Sequence, residues 1–362
     1  MRPIRALVLC AAPSENATLS YQRGWPRAFT THPSFEAAVV DVQAAGPLAV
    51  LRRTRALRSR FDVIVLLHSV FSNNRYLGAR LAQQLRDLRQ PKAYFIGNEY
   101  KLMPEKLAFA EEVGVSLLVS QLPSPRVHRL YAERLLCEVA YLPSAGLDSD
   151  LFRPAVPRGE REIDLGYRGY RSPLYLGHDE RALIVERVGA AAGRRGLRTD
   201  LSLDRSDRFD EAGWSRFLNR CRGQLGTEAG GDYFELTDET RKTVNAYVDE
   251  HPDAGIEVIR ARFFAGYEDP IPGRALSGRI VEAAGTKTVQ VLLEGGYGGY
   301  FRPDVHYIPV RKDFSNLDDV LDALEDDALC VRISDAAYEV AVGELTYGRL
   351  IDRFRASLEQ VL

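Results

Sequence analysis

The stretch SGRIVEAAG sets Glu282 five residues after Ser277. Serine at position 277 suits a helix N-cap, and Gly285 suits the end of a short helix carrying Ile280, Val281 and Ala283. The free N–H groups of Ser277, Gly278 and Arg279, reinforced by the helix dipole, make an anion site. Glu282 lies about one turn further on. There it could accept hydrogen bonds from a ribose diol while phosphates sit at the helix start. The same pattern also describes a surface glutamate on an ordinary helix.

Other candidates sit where strand-like runs end. GYRGYR places Arg168 and Arg171 in a loop, and Arg181 follows on the next helix. Paired guanidiniums facing a helix start would grip a diphosphate bidentately, although a lone arginine in an arginine-rich chain is usually a solvated charge. GTEAGG (226–231) offers Gly230 for close backbone approach and Glu228 as a carboxylate, though most such loops are only turns. In the first half, HSVFSNNR and GNEY put His68, Asn98 and Glu99 after buried strands, where a lone His or Glu is more often structural. The loop after the first strand, APSENA, lacks G-x-G-x-x-G, which disfavours a dinucleotide cofactor. The chain carries no Walker loop, no H-E-x-x-H and no G-x-S-x-G.

These residues need a frame, and the hydropathy pattern supplies one. ALVLC, AAVVDV, FDVIVLLHS, KAYFIGNEY and SLLVSQ read as strands, with YLGARLAQQLRDLRQ and PEKLAFAEEVG as helices between them. PLAVLRRTRALRSR (47–60) also has helical spacing, with a basic face. The Pro- and charge-rich segment 147–162 reads as a linker. A second alternation begins at IDLGYRGY and runs through ERALIVERVGAAAGRRG, LRTDLSL and VQVLLEG to one or two amphipathic helices. The pattern predicts two doubly wound α/β lobes, residues 1–150 and 151–345, with a C-terminal helix over 346–362 and a ligand cleft between the lobes.

Length and charge narrow the function. The 362 residues suffice for two cores, and a formal net charge of −2 offers no global field for nucleic acid. Cys10, Cys137, Cys221 and Cys330 are scattered without metal-like or paired spacing, which fits a reducing, cytoplasmic setting. No apolar run reaches the roughly 18 to 20 residues of a membrane span. The basic run 52–60 leaves peripheral membrane contact open.

Four ordered stretches, GYRGY with LGHDER, LGTEAGGD, SGRIVEAAGTKTVQVLLEGGYGG and RPDVHYIPVRKDFSNLDDVLDAL, resemble glycosyltransferases of the two-lobe GT-B type. The likeness covers about residues 160–350. It is strongest to the spore-maturation-protein-like branch related to glycosyltransferase family 4. The resemblance implies a retaining, metal-independent transferase in surface polysaccharide or glycoconjugate synthesis. It would move a sugar from a nucleotide sugar to a glycan, lipid-linked or small-molecule acceptor, with no bound cofactor. It makes Glu282 the ribose ligand and sets the backbone of Ser277 and Gly278, with Arg279 and Gly230, at the donor. Arg168 and Arg181 become the cations that meet the leaving diphosphate. His68, Asn98 and Glu99 face the acceptor. Where many family 4 members carry two glutamates separated by seven residues, Arg274 replaces the first, with Glu228, Glu268 or Asp269 as substitutes near the sugar. GGYGG is expected to form a mobile rim near phosphates or sugar. A nucleotide-sugar epimerase or hydrolase, or a non-catalytic nucleotide-binding scaffold, are the alternative readings.

Overall fold

A computed structural model describes residues 2–12, 20–44 and 61–362. The expected helix over 47–60, the basic run 52–60 and most of APSENA lie outside the described residues. The first half forms a six-stranded parallel sheet in the order β2-β1-β3-β4-β5-β6. Its strands are β1 (Ile4–Cys10), β2 (Phe35–Asp41), β3 (Val63–Leu66), β4 (Lys92–Phe95), β5 (Leu117–Ser120) and β6 (Glu138–Tyr141). Successive side chains leave a strand on opposite faces, so a strand buried on both faces reads as a continuous apolar run. β3 shows this directly: Val63 and Val65 enter one core with Trp25 and Phe29, while Ile64 and Leu66 enter another with Leu81 and Phe109.

The helices on those faces are α1 (Tyr21–Thr31), α2 (Ala79–Arg86), α3 (Met103–Val113) and α4 (Pro125–Leu135). Pro104 near the start of α3 and Gly114 at its C-cap, with φ of 73°, bound that helix as the sequence predicts. Sequence pattern alone did not announce α1, because Gly24 and Pro26 both lie inside it.

The second half holds a five-stranded parallel sheet, order β13-β12-β9-β7-β8, and a two-stranded antiparallel ribbon, β10-β11. The strands are β7 (Ile163–Arg168), β8 (Thr199–Ser202), β9 (Cys221–Gly226), β10 (Ala229–Gly231), β11 (Gly273–Ala275), β12 (Val289–Leu293) and β13 (Ile308–Val310). One face packs on α5 (Glu180–Arg194), α10 (Leu317–Glu325) and α11 (Asp327–Glu344) through Ile184, Val188, Leu321 and Ile333. The other packs on α6 (Glu211–Arg220) and α9 (Gly278–Gly285) through Phe217, Leu218, Ile280 and Val281. Within the loop joining β10 to β11 lie α7 (Glu239–Glu250) and α8 (Ile256–Ile259), the latter continuing into a π-helical turn, Arg260–Phe264.

The last helix, α12 (Tyr347–Leu358), returns to the first lobe. Its Phe354 sits edge-on to Phe29 with centroids 5.5 Å apart and close to Phe95 at 5.1 Å. Tyr347 meets Trp25 at 5.5 Å, a contact that Gly24 permits, since a Cβ there would fall 2.1 Å from the Tyr347 ring. Losing the buried Phe354 ring would cost ~3–5 kcal/mol. Leu147 in the inter-lobe passage donates its N–H to the Leu345 carbonyl at 2.7 Å, so the two chain crossings are tied together. Residues just beyond strand ends of both sheets, among them Gly97, Asn98, Gly169 and Thr227, line one cleft.

Candidate functional site

In each sheet the strand order reverses once, between β1 and β3 and between β7 and β9, and ligands of open α/β sheets bind outside the carboxyl ends at such points. A cavity of about 230 Å³ occupies that position. His68, Asn98 and Gln121 line it from the first lobe, and Arg168, Tyr170, Thr227 and Gly230 from the second. The start of α9 closes one side with Ser277, Gly278, Arg279 and Glu282.

Gly230 earns its place by geometry. Its φ is +84°, and a Cβ would stand 1.9 Å from the Gly273 carbonyl oxygen across the β10–β11 ribbon. Gly278 likewise lets α9 approach the first lobe, since a Cβ there would lie 2.9 Å from Ala145.

The second-lobe wall is cationic. Arg181, Arg208 and Arg279 all line the cavity, and none forms an ion pair among the described residues. Arg279 lies over the Trp214 ring at 4.6 Å and donates to the Arg168 carbonyl. Arg181 and Arg205 both stack on Tyr170, at 4.8 and 4.5 Å. Burial and the neighbouring Arg208 pull the Arg279 guanidinium below its ordinary value. The Tyr170 phenol, although burial pushes it up, is held below its usual value by Arg181 and the other guanidiniums. Like charges this close repel one another, and a bound anion would relieve that repulsion.

Glu282 is 5% exposed. One carboxylate oxygen accepts the Ser20 hydroxyl from the first lobe, and the other accepts Trp214 Nε1 at 2.7 Å. Burial raises its pKa against the opposing pull of the Ser20 bond and of Arg279. The carboxylate is thus a junction between the lobes as well as part of the cleft wall.

Several sequence candidates sit differently from their expected roles. Arg168 reaches the cavity but spends donors on the Tyr167 carbonyl and on Asp200, with its guanidinium 4.6 Å from the Phe217 ring centroid. Arg274 points to the far side of the ribbon. There it pairs with Glu180 at 2.7 Å and with Asp232, and does not line the cavity. Glu228 turns its carboxylate to the Tyr297 N–H at 2.7 Å, fastening the glycine-rich loop from behind. That loop does not line the cavity, and its Tyr297 is 1% exposed and packs edge-on to Tyr307. Asp269 lies in an exposed pair with Arg126, and neither Glu268 nor Asp269 lines the cavity. Arg171 pairs with Asp179 and Glu186 on the surface.

The first-lobe wall is closely hydrogen-bonded. Glu99 accepts Ser120 Oγ at 2.8 Å, the Gln121 N–H at 2.6 Å and the Tyr131 hydroxyl at 2.7 Å. Burial lifts its pKa to about 6. Lys106, 0% exposed, donates to the carbonyls of Gly97, Asn98 and Lys101, and so clamps the loop that carries Asn98. Asn98 itself donates to Ser72 Oγ at 2.8 Å and accepts the Tyr100 hydroxyl at 3.0 Å. His68 is different: its Nε2 is buried without a partner among the described residues, and burial lowers its pKa to about 4. It stays a neutral imidazole with one open ring nitrogen.

Sequence reasoning missed Arg208, Trp214 and Ser20. Each lies in a stretch without motif spacing, and only the fold brings them to Glu282 and Arg279. Among the described residues no group of three or more His, Cys, Asp or Glu side chains could hold a metal ion, and no helix is long and apolar enough to cross a membrane.

HepE of Anabaena in complex with UDP superposes with a TM-score of 0.53 at 11% identity, over 99% of this chain and 100% of that one. A sucrose-phosphate synthase from Thermosynechococcus elongatus gives 0.53 at 12% identity, covering 99% of both chains. A DNA-modifying β-glucosyltransferase studied with and without uridine diphosphoglucose gives 0.56 at 9% identity, over 98% of this chain and 99% of that one. The fold is GT-B. No family model and no curated protein matches the sequence.

Proposed function

We propose that the protein is a glycosyltransferase that takes its sugar from a nucleotide-sugar donor bound to the second lobe. One observation carries the reading: Arg181, Arg208 and Arg279 converge, unpaired among the described residues, beside the start of α9 and Glu282. A diphosphate supplies the missing anions, and guanidiniums bind it with directed, charge-assisted hydrogen bonds. Similarity to HepE with bound UDP supports this reading.

In the reaction, the bond from the anomeric carbon to the diphosphate breaks as a bond to an acceptor hydroxyl forms. Developing charge on the leaving diphosphate is met by the arginines and the N–H groups of Ser277 and Gly278, so the reading needs no metal for that task. The acceptor hydroxyl approaches from the first lobe, where Asn98 orients it and the open His68 Nε2 receives its proton. Glu99 contributes through the loop it braces, its oxygens being already engaged. Glu282 holds the ribose once the donor displaces Ser20. Retention of anomeric configuration, a role in surface glycan synthesis, and a cytoplasmic enzyme with glycan, lipid-linked or small acceptors complete the proposal.

A transfer assay over a donor and acceptor panel tests it. Glu282→Ala and Arg181→Ala should abolish transfer with the fold retained; full activity in both would sink the site assignment. Arg274 favours one second reading. It stands in place of a family 4 glutamate and faces away from the cleft, as in a transferase relic that binds nucleotide without turnover. Binding with no product across the panel would select that reading, and sugar release without acceptor would select a hydrolase.

A further inference from the structure

Two buried glutamines of the second sheet line the cleft. Gln224 on β9 and Gln290 on β12 are register partners in adjacent parallel strands, so their side chains leave the sheet side by side on the same face. They are 5% and 1% exposed, and both line the cavity. Gln224 Oε1, Gln290 Oε1 and Gln290 Nε2 find no hydrogen-bond partner among the described residues. Three orphaned amide atoms in one place are costly, since each unsatisfied buried group destabilises a fold by ~1–3 kcal/mol. Leucine would fill this sheet face at no such cost. The pair therefore has a reason outside folding.

Its surroundings indicate what completes it. Tyr167, Phe209 and Trp214 line the same cavity, giving flat aromatic walls beside the amide floor. Arg181, Arg208 and Arg279 line it too and supply the cationic part. The transferred sugar must meet an acceptor coming from the first lobe. The portion of the donor pressed against the second sheet is therefore the portion that is not transferred. A flat heterocycle fits aromatic walls, and an amide side chain pairs with a base edge through one donor and one acceptor, whichever way round the amide is turned.

We infer that Gln224 and Gln290 read the edge of the donor's nucleobase and so set which nucleotide sugar the protein accepts. The inference rests on the transferase reading and deepens it. Calorimetric titration of wild type, Gln224→Leu and Gln290→Leu with UDP, GDP, ADP, CDP and inorganic pyrophosphate tests it, alongside thermal melts of the free proteins. Pyrophosphate engages the arginines without a base. Wild type should bind one nucleoside diphosphate well above pyrophosphate. Each leucine variant should lose about 10- to 100-fold of that margin, keep its pyrophosphate affinity and melt higher than wild type. If wild type binds no nucleoside diphosphate better than pyrophosphate, the transferase reading of the cleft fails. If it does and both variants keep the full margin, the transferase reading stands and the glutamine inference alone is overturned. Should a variant misfold, the melt reveals it, and Gln290→Met then repeats the test with closer shape.

Discussion

The two walls of the cleft solve opposite electrostatic problems. The second-lobe wall gathers guanidiniums that stay charged at any biological pH and form no ion pair among the described residues. The first-lobe wall buries ionisable groups of ordinary pKa and bends them toward neutrality. His68 falls to about 4, Glu99 rises to about 6 and Lys106 falls to about 7, each chiefly through burial. A wall with permanent charge recognises an anion, whereas a wall with suppressed charge presents hydrogen bonds to a neutral hydroxyl. The contrast supports the proposal that donor and acceptor meet different lobes.

The most direct way to break the contrast is to remove its charge. Arg181→Ala combined with Arg208→Ala should weaken nucleoside diphosphate binding by about 1,000-fold, or ~4 kcal/mol, because two charge-assisted contacts disappear together. Titration calorimetry decides it, and an unchanged affinity would move the anion site elsewhere.

Lys106→Met tests the opposite wall. Three loop carbonyls lose their donor, and urea denaturation should show a loss of about 3 kcal/mol. In the folded fraction, acceptor KM should rise while diphosphate affinity stays put. A rise in both would erase the division between walls.

His68 sharpens the comparison through pH. Its folded pKa lies below the unfolded value of 6.5. The unfolded chain therefore binds the proton more readily, and stability present above pH 6.5 drains away as pH falls toward about 4. The difference in unfolding free energy between wild type and His68→Phe should change over that window by at most ~3 kcal/mol. Glu99 acts oppositely, its contribution being lost as pH rises through about 6, so the measurement needs the variant as its reference. A flat difference would place the imidazole in a wetter site.

The smallest effect belongs to an exposed pair. Arg27 bridges α1 to Asp148 and Asp150 with its side chain 58% exposed, so Arg27→Ala should shift stability by no more than about 0.5 kcal/mol. A larger loss would show the inter-lobe passage to be more tightly held than its packing indicates.

The parallel strands were legible because a strand buried on both faces reads as a near-continuous apolar run, as VIVL is and as VQVLL is but for Gln290. The site was legible in part. The run from Ser277 through Glu282 announces a helix start with a carboxylate one turn in, and the structure sets both on the cleft, although the Ser277 side chain makes no cap hydrogen bond. Arg208 and Trp214 were silent, since neither belongs to a periodic or spaced motif, and α1 was hidden by its internal glycine and proline. Glu228 and the glycine-rich loop misled in the other direction. Glycines signal permissive backbone, yet here Gly298 at φ +67° lets the chain turn tightly under Tyr141.

By itself the sequence determined the alternation of strands and helices and the helix that begins at Gly278. Those follow from local periodicity and capping chemistry, which neighbouring residues settle among themselves. Only the tertiary structure decided which arginines meet, which way Arg274 and Glu228 turn, and that Gln224 lies beside Gln290. Register across a parallel sheet and contact between lobes join residues dozens to hundreds of positions apart, and no local pattern encodes which of them become neighbours.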